Sequence, residues 1–141
     1  MIRVRDAEPS DAPILAALIT ELGHPADPAT VARQIELLDA SPHDRIIVAD
    51  DGSGVVGMAG MRISVFIHRA RPVARLTTMI VTKEVRRGGI GRALVERIEL
   101  LARQTGCGAL ELTTGDERDD AQRFYEALGF ERTSVRYWKV L

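Results

Sequence analysis

The sequence predicts a mixed α/β fold in which helices cover both faces of a central sheet, built as one domain over residues 1–141. Three observations lead to this fold class. Segments with strand periodicity alternate with segments of helical periodicity along the chain. The length of 141 residues suits one domain, and the chain shows no repeat or linker. Its 45% apolar and 28% charged residues are ordinary for a globular protein.

The first 23 residues predict a strand followed by a helix. Met1–Ala7 alternates apolar and charged residues, which is typical of a half-buried strand. Ser10 is placed to cap the helix, Pro13 suits its first turn, and Gly23 would close it. Four apolar residues are expected on its core face: Ile14, Leu15, Leu18 and Leu22.

A second helix and two strands are expected next. Asp27–Ala40 predicts the helix, because an Asp-Pro pair opens it and apolar residues follow at helical spacing. Arg45–Ala49 and Val55–Phe66 predict two strands, and the turn-forming residues 50–54 between them predict a hairpin.

The second half of the chain predicts a βαβ unit, a short helix and a last strand. Arg75–Thr82 and Ala109–Thr113 are the expected strands, and a helix from about Gly89 to Thr105 connects them, so the two strands should be parallel. Asp119–Leu128 predicts the short helix and Phe130–Val140 the last strand. The long helix has a core-facing stripe: Leu94, Ile98 and Leu101.

Composition excludes several classes of function. A net charge of −1 gives no general basic field for nucleic acid. The longest apolar run, Ile14–Ile19, is too short to span a membrane, and the N-terminus lacks a signal peptide. The single cysteine, Cys107, allows no intrachain disulfide, so a buried thiol and a cytoplasmic location are expected. The three histidines show no metal-ligand spacing, so no metal site is predicted.

An anion-binding cradle is predicted where the Arg75–Thr82 strand meets the long helix. Its glycines allow the backbone to turn so that N–H groups converge, and the helix adds its unpaired first-turn donors and positive dipole end. Its arginines add charge and fork-shaped donors for phosphate oxygens. The pattern therefore indicates a phosphate-bearing ligand, most simply a pyrophosphate. The segment reads Arg86-Arg87-Gly88-Gly89-Ile90-Gly91-Arg92.

Two common phosphate-binding motifs do not fit this segment. A Walker P-loop needs a lysine and then Ser or Thr after its second glycine, but Gly91 is followed by Arg92 and Ala93. The dinucleotide fingerprint needs a third glycine where Leu94 stands, and it belongs to an early βα turn. An NTPase and a Rossmann enzyme are therefore both disfavoured.

A third pattern fits at two places. The first is Arg86-x-x-Gly89-x-Gly91, and the second is Ala121-x-x-Phe124-Tyr125-Glu126-x-x-Gly129-Phe130. With these motifs the chain resembles the GNAT family of N-acetyltransferases over nearly its whole length and element order. The resemblance implies a central mixed, mostly antiparallel sheet flanked by helices, with acetyl-CoA as donor co-substrate. It also suggests a homodimer, with residues 130–140 as a plausible edge.

The same resemblance assigns roles to residues. Met79, Ile80 and Val81 would pair their backbone with the pantetheine arm and stabilise the oxyanion. Tyr125 would lie near the coenzyme sulfur and protonate the leaving thiolate, since a phenol with a pKa of about 10 is protonated at neutral pH. The cradle residues would bind the pyrophosphate: Arg86, Arg87, Gly88, Gly89, Ile90, Gly91, Arg92 and Ala93.

Two positions depart from the family pattern. Arg118 stands where many relatives carry a coenzyme-contacting asparagine, which puts that contact in doubt. Thr77 stands where many relatives carry a proton-relaying glutamate, and a hydroxyl cannot act as a base near neutral pH. A water chain through Thr77 or Thr78 is one alternative route for the proton.

Side chains near the acceptor offer other routes. The first candidates for the base or the acceptor site are Glu21 and His24, on the loop after the first helix, which in the family borders the acceptor site. Glu111 and His68 are weaker candidates.

The resulting hypothesis is acetyl transfer to an amine by direct attack, without a covalent enzyme intermediate. Two alternatives stay open: transfer of another acyl group, and a non-catalytic acyl-CoA sensor, which the missing glutamate motivates. The acceptor is a small-molecule or peptide amine that the sequence does not identify. Cationic and aromatic residues in segments 23–25, 68–72 and 132–138 hint at an acceptor with an acidic group.

Overall fold

The computed structural model describes residues 1–85, 88–115 and 119–141, and these divide into two units that we describe separately. The prediction of a single domain stays a prediction. The first unit, Met1–Glu111, contains in order β1 (Arg3–Asp6), α1 (Ala12–Glu21), α2 (Pro28–Ala40), β2 (Asp44–Asp50), β3 (Val55–Ser64), β4 (Val73–Val81), α3 (Ile90–Gln104) and β5 (Ala109–Glu111). Short 3₁₀ helices stand at Pro9–Asp11 and Lys83–Val85. The second unit, Leu112–Leu141, contains α4 (Asp119–Ala127).

The five strands form one mixed sheet in the order β1-β2-β3-β4-β5. The first three pairings are antiparallel, and β4 pairs with β5 in parallel. The mixed, mostly antiparallel sheet and the βαβ unit are therefore confirmed. The described ladder between β4 and β5 joins only Val73–Arg75 to Ala109–Glu111, so it ends well before the cradle.

A β-bulge interrupts the pairing of β3 with β4. Gly60 faces Thr78 and Met61 faces Leu76, so Thr77 is the extra residue on β4. Such a bulge changes the direction in which neighbouring side chains point. A Cβ at Gly60 would lie 2.6 Å from Thr77 Oγ1, which is closer than real Cβ contacts come. Glycine at this position therefore makes room for the bulged threonine.

Helices cover both faces of the sheet, as predicted. Met58 belongs to the buried cluster that α1 and α2 form with the sheet. Its neighbour Gly57 points to the opposite face, because successive strand residues alternate. A Cβ at Gly57 would lie 3.0 Å from Ile90 Cγ2 and 3.2 Å from Leu94 Cδ1, both on α3. Glycine thus lets the first turns of α3 pack closely against β3.

The start of the first helix differs from the prediction. Ser10 is not its cap, because α1 begins at Ala12 after a 3₁₀ turn. The Asp11 carboxylate organises that turn: it accepts a hydrogen bond from the Glu8 N–H at 2.8 Å and two from the Arg5 guanidinium, each at 2.9 Å. These bonds, with the one to Arg5 first, lower the pKa of Asp11.

The core face of α1 is also narrower than predicted. Leu15 and Leu18 are buried, but Ile14 is 41% exposed. Consecutive helical residues are rotated by about 100°, so Ile14 falls just outside the arc centred near Leu15. In the stripe predicted on α3, Leu94 and Ile98 are fully buried and Leu101 is half-buried.

The predicted strand Phe130–Val140 is wrong. Residues 130–141, all of which the structure describes, form neither helix nor strand, and residues 131–141 are exposed. Arg136 stacks on the Trp138 ring at 4.1 Å, an i, i+2 contact that suits an extended chain. Alternating apolar residues give a strand its face, but a strand also needs a backbone partner, which a local pattern does not specify.

Two further features are the burial of Cys107 and the length and apolar character of the helices. Cys107 is buried, as predicted, and its Sγ lies 3.6 Å from Thr105 Oγ1. Among the described residues, no helix has the length and apolar character to cross a membrane.

Candidate active site

The first turn of α3 has the geometry of an anion site. Gly89 caps this helix at φ 84° and ψ 2°, a left-handed conformation that glycine adopts without strain. The Ala93 N–H donates to the Gly89 carbonyl at 3.0 Å. The N–H groups of Ile90, Gly91 and Arg92 precede that first helical bond, so they have no intrahelical acceptor. Together with the helix dipole they suit a phosphate group.

Of the three arginines at this turn, the structure describes Arg92. Arg92 Nε donates to Glu96 Oε1 at 2.9 Å, and both side chains are more than half exposed. Such an exposed pair contributes little stability, so Arg92 can exchange Glu96 for a bound anion at small cost. Arg86 and Arg87 lie outside the described residues. The Gly88 N–H donates to the Val85 carbonyl at 3.2 Å.

The strand that leads to this turn presents its backbone beside the cradle. Ile80 is buried in the cluster under α1 and α2, while Met79 and Val81 are half-buried. Since backbone groups of a strand alternate in direction, part of this stretch points away from β3. The described ladder with β5 has already ended at Arg75.

Glu21 connects the end of α1 to the segment between β4 and the cradle. Its Oε1 accepts a hydrogen bond from the Lys83 N–H at 2.7 Å, and its Oε2 accepts one from Thr82 Oγ1 at 3.2 Å. Both carboxylate oxygens of this predicted base thus have protein donors. Sequence reasoning missed this contact, because 61 positions separate Glu21 from Thr82.

A cavity of about 440 Å³ lies between the two N-terminal helices and strands β2, β3 and β4. Its buried floor is apolar and consists of Leu15, Val31, Ile35, Met58 and Ile80. Its polar lining residues are His24, Gln34, Thr77 and Thr78. The volume is in the usual range of small-molecule sites.

The predicted base candidates differ in whether they line this cavity. His24 lines it, together with both threonines of the bulge. The weaker candidates are not among its lining residues: Glu111 pairs with Arg75 at 3.3 Å, and His68 packs edge-on against Phe66 at 5.8 Å. Gln34 was missed, although its place between Val31 and Ile35 at helical spacing could have indicated it.

The predicted acid, Tyr125, belongs to the second unit. It lies on α4, is half-buried, and packs edge-on against Phe124 at 5.1 Å and against Phe130 at 5.7 Å. Tyr125 lies in the last turn of the helix, and its carbonyl accepts hydrogen bonds from the Leu128 and Phe130 N–H groups. These contacts fix the ring within its unit. Arg118, at the position of the family asparagine, lies outside the described residues.

No group of three His, Cys, Asp or Glu side chains in the described chain is arranged to hold a metal ion.

Comparison with known proteins identifies relatives over most of the chain. A family model described as Acetyltransferase (GNAT) family matches residues 12–130. The aminoalkylphosphonate N-acetyltransferase of Salmonella typhimurium is 32% identical over 105 residues, which cover 74% of the chain and 67% of that protein. An aminoglycoside N(6')-acetyltransferase type 1 of Stenotrophomonas maltophilia is 31% identical over 141 residues, which cover 97% of the chain and 92% of that protein.

Solved structures share the fold over the full length. A putative acetyltransferase from Agrobacterium tumefaciens superposes with a TM-score of 0.89 at 25% identity and covers 99% of each chain. An aminoglycoside N-acetyltransferase in complex with CoA superposes with a TM-score of 0.85 at 22% identity, covering 99% of this chain and 95% of that one. The second likeness shows the fold alone.

Proposed function

The chain belongs to the GNAT family and is an N-acetyltransferase, and from this premise we propose that it moves the acetyl group of acetyl-CoA to a primary amine by direct attack. The amine nitrogen forms a bond to the thioester carbon, the carbon–sulfur bond breaks, the nitrogen loses a proton and the sulfur gains one. The family uses acyl-CoA donors; acetyl-CoA is the donor proposed here.

The observation that supports binding of the acetyl-CoA donor is the left-handed conformation of Gly89 at the start of α3. In the proposed complex the main-chain N–H groups of Ile90, Gly91 and Arg92 hold the pyrophosphate, and the side chains of Arg86, Arg87 and Arg92 add charge. The backbone of Met79–Val81 pairs with the pantetheine arm, and a donor there stabilises the oxyanion.

The amine acceptor is proposed to bind in the cavity between the two N-terminal helices and the sheet. We assign the proton-accepting role to His24, because it lines the cavity whereas both carboxylate oxygens of Glu21 already accept hydrogen bonds. Glu21 then acts as a positioning residue for the approach to the cradle. Tyr125 is the proposed acid that protonates the thiolate. The cytoplasmic location and the homodimer stay predictions from the sequence.

The named activities of the relatives support an amine acceptor. One is an aminoalkylphosphonate N-acetyltransferase and another an aminoglycoside N-acetyltransferase, and both names specify acetyl transfer to nitrogen. Their acceptors have opposite charge character, so these names support the reaction and leave the acceptor of this chain open.

The test is release of free CoA thiol from acetyl-CoA on addition of amines, with mass spectrometry of the product. Tyr125→Phe is expected to lower kcat by about 10²-fold or more, the usual contribution of a general acid, and to leave the affinity for CoA nearly unchanged. Tyr137→Phe is the matched control, because this second tyrosine is 93% exposed. An unaltered rate in Tyr125→Phe would remove it from the acid role, and CoA binding without turnover on any amine would contradict the transferase.

A further inference from the structure

The charge of the cavity beside β4 bears on which acceptors could bind there. Among its described lining residues there is no Asp, Glu, Lys or Arg. Glu21 is the acidic residue of α1, and both of its carboxylate oxygens accept hydrogen bonds, from Thr82 Oγ1 and the Lys83 N–H. A charged body bound here would therefore lose water without gaining an ion-pair partner from the described lining, which is costly.

The polar and apolar parts of the lining lie at different depths. The floor residues Leu15, Val31 and Ile35 are each at most 8% exposed. His24, Gln34 and Thr77 are exposed and form the mouth. Because the amine must reach the backbone of β4, the reacting nitrogen belongs beside Thr77 and Thr78, and the rest of the acceptor lies over the apolar floor.

We propose that the acceptor is a primary amine on an uncharged, apolar body, either aliphatic or aromatic. This inference rests on the proposed function and specifies its acceptor class. A volume of about 440 Å³ equals roughly fifteen water volumes, so it accommodates a body of roughly ten or more non-hydrogen atoms. The acidic group suggested by the sequence has no lysine or arginine partner in the described lining.

The test is a series of alkylamines of increasing length, from propylamine through pentylamine to heptylamine, with acetyl-CoA. Burying each added methylene should raise kcat/KM by about four-fold until the floor is covered. Tobramycin, a polycation, and aminomethylphosphonate, which carries an anionic group, are the comparison acceptors. Both should be at least about ten-fold poorer than heptylamine, because their charges remain unpaired in the cavity.

Two neighbouring leucines of α2 provide a matched pair of variants. Leu38 lines the cavity and Leu37 is 67% exposed outside it. Leu38→Phe should reduce the gain with chain length, because the added ring occupies floor space. Leu37→Phe should leave the whole series unchanged. A length dependence that is the same in both variants would show that the alkyl chains bind elsewhere, and the inference would fail.

A binding measurement separates this inference from the transferase proposal. Heptylamine and tobramycin are titrated calorimetrically into the CoA-saturated protein. Turnover that is faster with tobramycin or aminomethylphosphonate than with heptylamine would overturn the acceptor class and leave the transferase intact. If no amine turned over, the transferase would fail, and the calorimetric order of heptylamine and tobramycin would still decide the acceptor class.

Discussion

The two glycines at the ends of α3 allow the cradle to be tested apart from stability. Gly89 caps the first turn at φ 84°, and Gly106 follows the last turn at φ 80°. Both are left-handed, and alanine is strained in either place. Only the first lies where the coenzyme is proposed to bind. Gly89→Ala and Gly106→Ala therefore impose the same backbone cost at opposite ends of one helix.

The magnitude follows from the local geometry. Among the described residues, a Cβ at Gly89 would meet Ile2 Cδ1 alone, at the ordinary contact distance of 3.9 Å, and a Cβ at Gly106 would meet nothing within 4 Å. The cost is therefore conformational, about 1–2 kcal/mol of stability in each variant. In Gly89→Ala the free protein can relieve this strain by turning its N–H groups away from the anion. Binding must then restore the turn, so CoA affinity should fall by about 5–30-fold.

Isothermal titration with CoA and urea unfolding without it give the two quantities. We expect similar losses of unfolding free energy in both variants and a loss of CoA affinity in Gly89→Ala alone. Equal affinity losses would mean that general destabilisation of α3 weakens binding. Unchanged affinity in Gly89→Ala, with the expected loss of stability, would refute the argument that this turn holds the pyrophosphate.

Two further predictions concern Asp11 and His24. The Arg5 hydrogen bonds lower the pKa of Asp11, so its contribution is present above the unfolded value of about 3.9 and is lost as pH falls through the folded value. Asp11→Asn should therefore cost about 3 kcal/mol near pH 7 and progressively less below about pH 4, as urea unfolding at several pH values would show; a constant difference down to pH 2 would contradict this. His24→Gln should lower kcat/KM near pH 7 by about 10²-fold and recover toward the wild-type rate as the amine deprotonates by itself above about pH 10, with His43→Gln as control; an equal loss at every pH would indicate a structural role.

Elements with strong local signals could be predicted from the sequence. The helix Pro28–Ala40 is an example: the Asp27 side chain accepts a hydrogen bond from the Thr30 N–H at 2.9 Å, as its position before a proline suggested. The turn at Gly89 is another, because glycines between a strand and an amphipathic helix predicted a backbone turn and a helix start at about this residue. In both cases the determining atoms lie within a few residues of each other.

Features that depend on distant partners could not be predicted in the same way. The terminal segment 130–141 has a strand-like pattern, yet a local pattern does not provide the neighbouring backbone that a strand requires. The described cavity lining combines residues from two helices, three strands and the loop with His24, so the absence of Asp, Glu, Lys and Arg from it emerges only when they are brought together. The bulge at Thr77 depends likewise on the register of β3 against β4.

The contact of Glu21 connects one short helix to both proposed substrate sites. Leu15 and Ile19 of α1 line the cavity, and Glu21, at its C-terminal end, holds the Lys83 N–H. Lys83 lies two residues after β4 and six before Gly89. A shift of α1 on filling the cavity would therefore move the peptide that leads into the cradle. A carboxylate with two donors is a stronger anchor than a single neutral hydrogen bond, so this contact would relate the position of the proposed acceptor to that of the proposed coenzyme. A base at position 21 would have to give up this anchor each time it took a proton, which is the physical reason for assigning proton transfer to His24 instead.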